Sequence, residues 1–168
     1  MLRLGFIVNP IAGMGGRVGL KGTDGDALEE AIARGAKPVS PRRAVEFLKR
    51  LRTLGLESSL NLLTCPRLMG ECEAEEAGFS AEVLPMEVKE RTTAEDTKTA
   101  VRLMIKRAVN LLVFVGGDGT ARDILDAMRE AGSVPVLGVP SGVKMYSGVF
   151  AANPSDAAEI VEAVIKRQ

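Results

Sequence analysis

The chain predicts an α/β fold: a doubly wound, mainly parallel sheet of about five or six strands, in a single domain over residues 1–168. Three observations carry this expectation. Short aliphatic runs alternate with longer segments of helical period along the whole chain. The run Asn110-Leu111-Leu112-Val113-Phe114-Val115 is apolar on both faces, as a strand covered from both sides must be. Segments rich in Gly or marked by Pro stand where several of these strands end.

The elements follow in order. Residues 4–8 read as a buried strand that ends at Asn9-Pro10. A glycine-rich loop comes next, and Asp26-x-x-Glu29 has the spacing of a capping box for a short helix through Ala33. Ser40-Pro41 reads as an N-cap with Pro at the first helical position. That helix carries Val45, Leu48 and Leu51 on one side and stops near Gly55. Residues 59–63 form the second expected strand, 66–77 a helix of weaker period, and 81–84 the third strand. Thr93-x-x-Asp96 opens another helix, with Ala100, Val101, Met104, Ile105 and Ala108 facing the core. The strand over 110–115 leads to a helix over 120–131, a strand over 134–139 and a loop over 140–147. Residues 148–151 suit a short final strand, and Asn153-Pro154 caps the last helix.

Composition narrows the function. With 46% hydrophobic and 26% charged residues, the chain is that of a soluble globular protein. Five Phe, one Tyr and no Trp leave an aliphatic core and few surfaces on which bases could stack. Lys+Arg and Asp+Glu both number 22, so no global field draws nucleic acid. The absence of His excludes His-based triads, His general bases and most zinc sites. Cys65 and Cys72 match neither a CxxC pair nor a metal quartet, so free thiols in a cytoplasmic protein are expected. The longest purely apolar run, residues 111–115, is far too short to span a bilayer, and no secretory signal is seen.

The chemistry should lie at the carboxyl ends of the strands, where open α/β sheets bind ligands. Gly116-Gly117-Asp118-Gly119-Thr120 places three glycines just before an expected helix. Backbone without Cβ atoms can approach a ligand there, and unpaired N–H groups at a helix start attract phosphate. Asp118 then suits either proton acceptance from an attacking hydroxyl or placement of Mg²⁺ on phosphate oxygens. The bland alternative is a tight turn whose Asp satisfies local amides. Thr120-x-x-Asp123 reads as a capping box. Seven of the 18 glycines fall within residues 1–25, where Arg17 and Lys21 suit phosphates and Asp24 a sugar hydroxyl or cation; solvated loop charges remain the alternative. The loop over 140–147 offers Ser141, Lys144, Tyr146 and Ser147. Neither a Walker A sequence nor a correctly spaced dinucleotide fingerprint is present.

Gly116-Gly117-Asp118-Gly119-Thr120 after a hydrophobic strand resembles the signature of ATP–NAD kinases and, more distantly, of phosphofructokinases and of diacylglycerol or sphingosine kinases. Asn9-Pro10-Ile11-Ala12-Gly13-Met14-Gly15-Gly16, with residues 19–25, is similar to the ATP–NAD kinase-like branch that includes the acetoin-catabolism X-type proteins; Pro140-Ser141-Gly142-Val143-Lys144-Met145-Tyr146-Ser147 extends the match. The resemblance implies phosphoryl transfer from ATP, or polyphosphate, to a hydroxyl such as the 2′-OH of the NAD adenosine ribose, with Mg²⁺. It implies that Asp118 is the catalytic carboxylate. Gly116, Gly117, Gly119 and Thr120 would then cradle phosphates, and Asn9 would orient the donor. Gly13, Gly15, Gly16, Ser141, Gly142 and Lys144 would complete the nucleotide site. Nucleotides and NAD-like molecules are the implied partners, without nucleic acid or membrane, and self-association is left open. The implied C-terminal β-rich domain has no counterpart within the 168 residues, so the isolated domain is expected to turn over slowly or not at all. Pro-Ser-Gly-Val-Lys stands where NAD kinases carry Asn-x-Gly-x-x-Gly-Phe, a departure that bears on the acceptor. The alternative is a nucleotide- or phosphate-binding module without catalysis.

Overall fold

The computed structural model describes residues 1–12, 39–142 and 148–167. Five strands form one parallel sheet: β1 (Leu2–Val8), β2 (Leu60–Thr64), β3 (Glu82–Val83), β4 (Leu111–Gly116) and β5 (Val136–Pro140). Among the described residues five α-helices connect and cover them: α1 (Ser40–Thr53), α2 (Glu71–Ala77), α3 (Ala94–Lys106), α4 (Asp118–Ala131) and α5 (Pro154–Lys166).

The strand order is β3-β2-β1-β4-β5. The chain steps outward from β1 through β2 to β3, then crosses back and lays β4 on the free side of β1. The reversal creates a switch point between the carboxyl ends of β1 and β4, the place where such sheets open a crevice.

Strand alternation divides the core into two layers. Leu4, Phe6 and Val8 of β1 and Val113 and Val115 of β4 face α1 and α5, joining Ala44, Phe47, Leu48, Ala157 and Val161. Phe6 stacks on Phe47 with ring centroids 5.5 Å apart. Ile7, Leu112 and Phe114 face the other way, onto Ala100, Val101 and Met104 of α3 and Ile124 and Ala127 of α4. All six residues of β4 are buried, as its unbroken apolar run requires.

Local chemistry sets the helix ends. Thr93 and Asp96 form the expected capping box: the Thr93 N–H donates to Asp96 Oδ2 at 2.8 Å, and the Asp96 N–H donates to Thr93 Oγ1 at 3.4 Å. Asn153 Oδ1 accepts from the Asp156 N–H at 2.8 Å and caps α5.

Four expectations are corrected. Val39, not Ser40, is the N-cap of α1, and Ser40 lies inside the first turn. The Ser40 hydroxyl is buried and donates to the Ala12 carbonyl at 3.1 Å, a group that would otherwise lose its hydrogen bond. The segment 66–77 divides into a 3₁₀ turn (Arg67–Met69) and α2, because Gly70 takes φ +145° between them. The strand expected over 81–84 contracts to Glu82–Val83. Residues 148–151 supply a single parallel bridge, Phe150 to Gly138, with Phe150 edge-on to Phe114. The helix expected over 26–33 lies outside the described residues.

Candidate functional site

The end of β4 passes into α4 with a single residue between them. Gly116 closes the strand, Gly117 is the N-cap in extended conformation, and Asp118 is already the first helical residue. Sequence reasoning starts this helix at Thr120; the structure starts it two residues earlier. Glycine is a poor helix former in the interior, but the first turn asks less of it, because its amides lack helical partners anyway. Thr120 therefore stands in the first turn and is not a cap, so the Thr120–Asp123 capping box is also corrected.

The N-cap of α4, Gly117, has no side chain with which to cap it. Its backbone ladder begins with the Ala121 N–H donating to the Gly117 carbonyl at 3.1 Å, so the amides of Asp118, Gly119 and Thr120 precede it. These amides and the helix dipole make an end of positive character. Gly119 is exposed, and a Cβ placed on it would meet nothing within 4 Å. Asp118 is half-buried beside it and is the acidic residue of the first turn.

Gly116 has a different task. A Cβ there would lie 2.5 Å from Thr120 Oγ1 and 2.8 Å from Thr120 Cβ. The missing side chain makes room for Thr120, which is 3% exposed. Gly116 thus lets the threonine pack down on the strand end.

Asn9 reaches the same point from β1. Its N–H donates to the Val115 carbonyl at 2.9 Å, which continues the β1–β4 ladder one step past Val8. Asn9 Nδ2 donates to Thr120 Oγ1 at 2.9 Å, and Asn9 Oδ1 accepts from the Ile11 N–H at 3.3 Å. Asn9, Gly116 and Thr120, which are far apart in sequence, meet at the switch point.

Ser141 follows β5, with its N–H on the Gly116 carbonyl at 3.0 Å. Continued alternation from the Gly116–Pro140 pair puts its side chain on the face of Val115 and Val139, opposite Thr120. It is 1% exposed, and its hydroxyl has no hydrogen-bond partner. Gly142 is half-buried next to it. Gly13, Gly15, Gly16, Arg17, Lys21, Asp24, Lys144, Tyr146 and Ser147 lie outside the described residues. Among the described residues, no three potential metal ligands come together.

One group escaped sequence reasoning. Glu73 of α2 is 2% exposed, and neither carboxylate oxygen has a hydrogen-bond partner. Burial pushes its carboxyl up to about 8, its own backbone amide pulls the other way, and Glu76 adds to the rise. Burial likewise raises the free thiol of Cys65, with Glu73 and Asp96 adding to the effect. Nothing in Glu71-Cys72-Glu73-Ala74-Glu75-Glu76 distinguishes the buried acid from its exposed neighbours, apart from its place beside Ala74 and Ala77 on the inner side.

The model of one protein family, the ATP-NAD kinase N-terminal domain, matches residues 4–168. No curated protein matches the chain. Among the described residues, no helix is long and apolar enough to cross a membrane.

Proposed function

Because the chain belongs to the ATP-NAD kinase N-terminal domain family, we propose that it binds the phosphates of ATP at the start of α4 and serves phosphoryl transfer to a hydroxyl acceptor such as the NAD adenosine ribose. One observation supports this reading most directly: α4 opens at the switch point on a glycine N-cap, Gly117, with open space over Gly119. Amide donors, a dipole and room for a ligand coincide where an anion needs them.

In this reading the amides of residues 118–120 hold phosphoryl oxygens of the donor. The acceptor hydroxyl gives its proton to the Asp118 carboxylate as its oxygen bonds to the γ-phosphorus, and the bond from that phosphorus to the β-phosphate oxygen breaks. ADP leaves, and Asp118 returns the proton to solvent. Mg²⁺ usually binds through one or two carboxylates together with substrate phosphates, not in a full protein cage. Asp118 fits that pattern, since one carboxylate at the phosphate end is what the described residues provide. When bound, the ion would offset phosphate charge.

Calorimetry of the 168-residue chain with ATP, ADP and NAD, with and without Mg²⁺, tests the binding half. Saturable ATP binding is expected; its absence removes the proposal. Turnover tests the chemical half. With this domain joined to the β-rich domain that the resemblance implies, Asp118→Asn should lower phosphoryl transfer by roughly 10³-fold or more while nucleotide affinity stays within a few-fold. Near-normal turnover in that variant would take Asp118 out of the mechanism.

A further inference from the structure

We infer that Asn9 is a positioning and specificity-determining residue of this phosphate site, acting through Thr120 and not on the ligand itself. The inference rests on the phosphate-binding reading above.

The geometry leaves Asn9 little freedom. Its backbone is fixed by the Val115 carbonyl. Its side-chain oxygen faces the Ile11 N–H, and its side-chain nitrogen faces Thr120 Oγ1. The opposite amide orientation would set an NH₂ group against the Ile11 N–H, donor against donor, so the backbone selects the observed one. Two consequences follow. Thr120 Oγ1 must accept from Asn9, which leaves its single proton to be donated elsewhere. A neutral amide at position 9 also adds no carboxylate to that of Asp118, the acidic side chain in the first turn of α4.

An aspartate has nearly the shape of asparagine and can keep both contacts. It would still accept from Ile11 and would accept from the Thr120 hydroxyl, with the direction of that bond reversed. A negative charge near a helix start is tolerated by the fold. The same charge, held beside Thr120, repels an incoming phosphate. Asparagine at position 9 therefore joins the two strand ends as well as aspartate would, while keeping the cradle open to anions.

The test separates this role from simple support of the fold. Asn9→Asp, Asn9→Ala and Thr120→Val are compared with the unmodified chain, using thermal unfolding and calorimetry with MgATP and with inorganic tripolyphosphate. Asn9→Asp should unfold within a few degrees of the unmodified chain, yet bind both probes at least about 10-fold more weakly at low salt, with the deficit shrinking as salt rises. Asn9→Ala should unfold earlier than Asn9→Asp but bind better than it. Thr120→Val should lose a few-fold in affinity without the salt dependence. A merely structural role predicts that affinity follows stability, with Asn9→Ala the weakest binder; that order, or full affinity in Asn9→Asp, overturns the inference alone. An unmodified chain that binds neither probe overturns the phosphate-site reading, and this inference falls with it.

Discussion

Two strands of this sheet hand over to a helix through glycine, and the two junctions are built for opposite ends. After β4, Gly116 and Gly117 lead into α4; after β2, a 3₁₀ turn leads through Gly70 into α2. In both, a threonine hydroxyl fills the space where the glycine has no Cβ. Thr120 Oγ1 lies 2.5 Å from that point on Gly116, and Thr64 Oγ1 lies closer still to it on Gly70. After β4 the threonine is held from outside by Asn9, and the glycine beyond it, Gly119, faces open space. After β2 the threonine hydroxyl donates to the Phe6 carbonyl at 2.8 Å, deep in the sheet, and the following helix turns the Glu73 carboxyl inward. At the first junction the amides of residues 118–120 precede the helix's own ladder; the second closes on itself and encloses an acid. Glycine content alone says which strand ends are tight, not which are open.

Substitutions at the closed junction should cost the most. Gly70→Ala meets a positive φ and a buried hydroxyl together, and should destabilise by at least about 3 kcal/mol in denaturant unfolding. A loss below about 1 kcal/mol would show that the junction can relax.

Glu73 sharpens the contrast through pH. Its carboxyl has an ordinary value of 4.5 and a folded value of about 8. Between those values the folded chain keeps a proton that the unfolded chain has lost. Its contribution is therefore fully present below about pH 4.5 and is lost as pH rises through about 8. Glu73→Gln removes this titration and should stabilise the protein at pH 9 by about 2–3 kcal/mol, with a much smaller effect near pH 5. Parallel stability–pH curves for the two proteins would remove Glu73 as a titrating group.

At the open junction the effects are smaller and of mixed sign. Gly116→Ala should destabilise by about 2 kcal/mol, because Thr120 must move off the strand end. Gly119→Ala should stabilise by about 0.5 kcal/mol, since alanine suits a helix better and nothing obstructs it. On the proposed reading the same methyl group would occupy the space that phosphate takes, so MgATP affinity should fall about 10-fold or more as stability rises. If both quantities rose together, the space over Gly119 would not be where phosphate sits.

The alternation of runs and periods was enough to read the fold, because period and burial are written locally: residues 110–115 announce a central strand with no help from elsewhere. Two caps were equally legible, Thr93 with Asp96 and Asn153, since each pairs a side chain with an amide three residues away. The errors share a physical cause. Ser40 was read from its neighbour Pro41, but its hydroxyl answers to Ala12, which lies 28 positions away. Gly119 reads as loop beside Gly116 and Gly117, yet it stands in the first turn of α4, where the penalty of glycine in a helix is small. The contact between Asn9 and Thr120 spans 111 positions, and strand order alone brings the two residues together. Glu73 left no mark at all, because burial of one acid among several depends on how α2 docks.

The segment that returns after β5 has a consequence for how molecules of this protein meet one another. Gly138 gives its N–H to the Val149 carbonyl and takes the Ala151 N–H, both at 2.9 Å. Phe150 lies over it, so closely that a methyl group there would come within 2.7 Å of the ring. The outermost strand on that side has thus already spent the donors and acceptors at its midpoint on its own chain. Another molecule arriving flank to flank finds that position taken, which is one of the ways proteins guard against fibrous self-assembly.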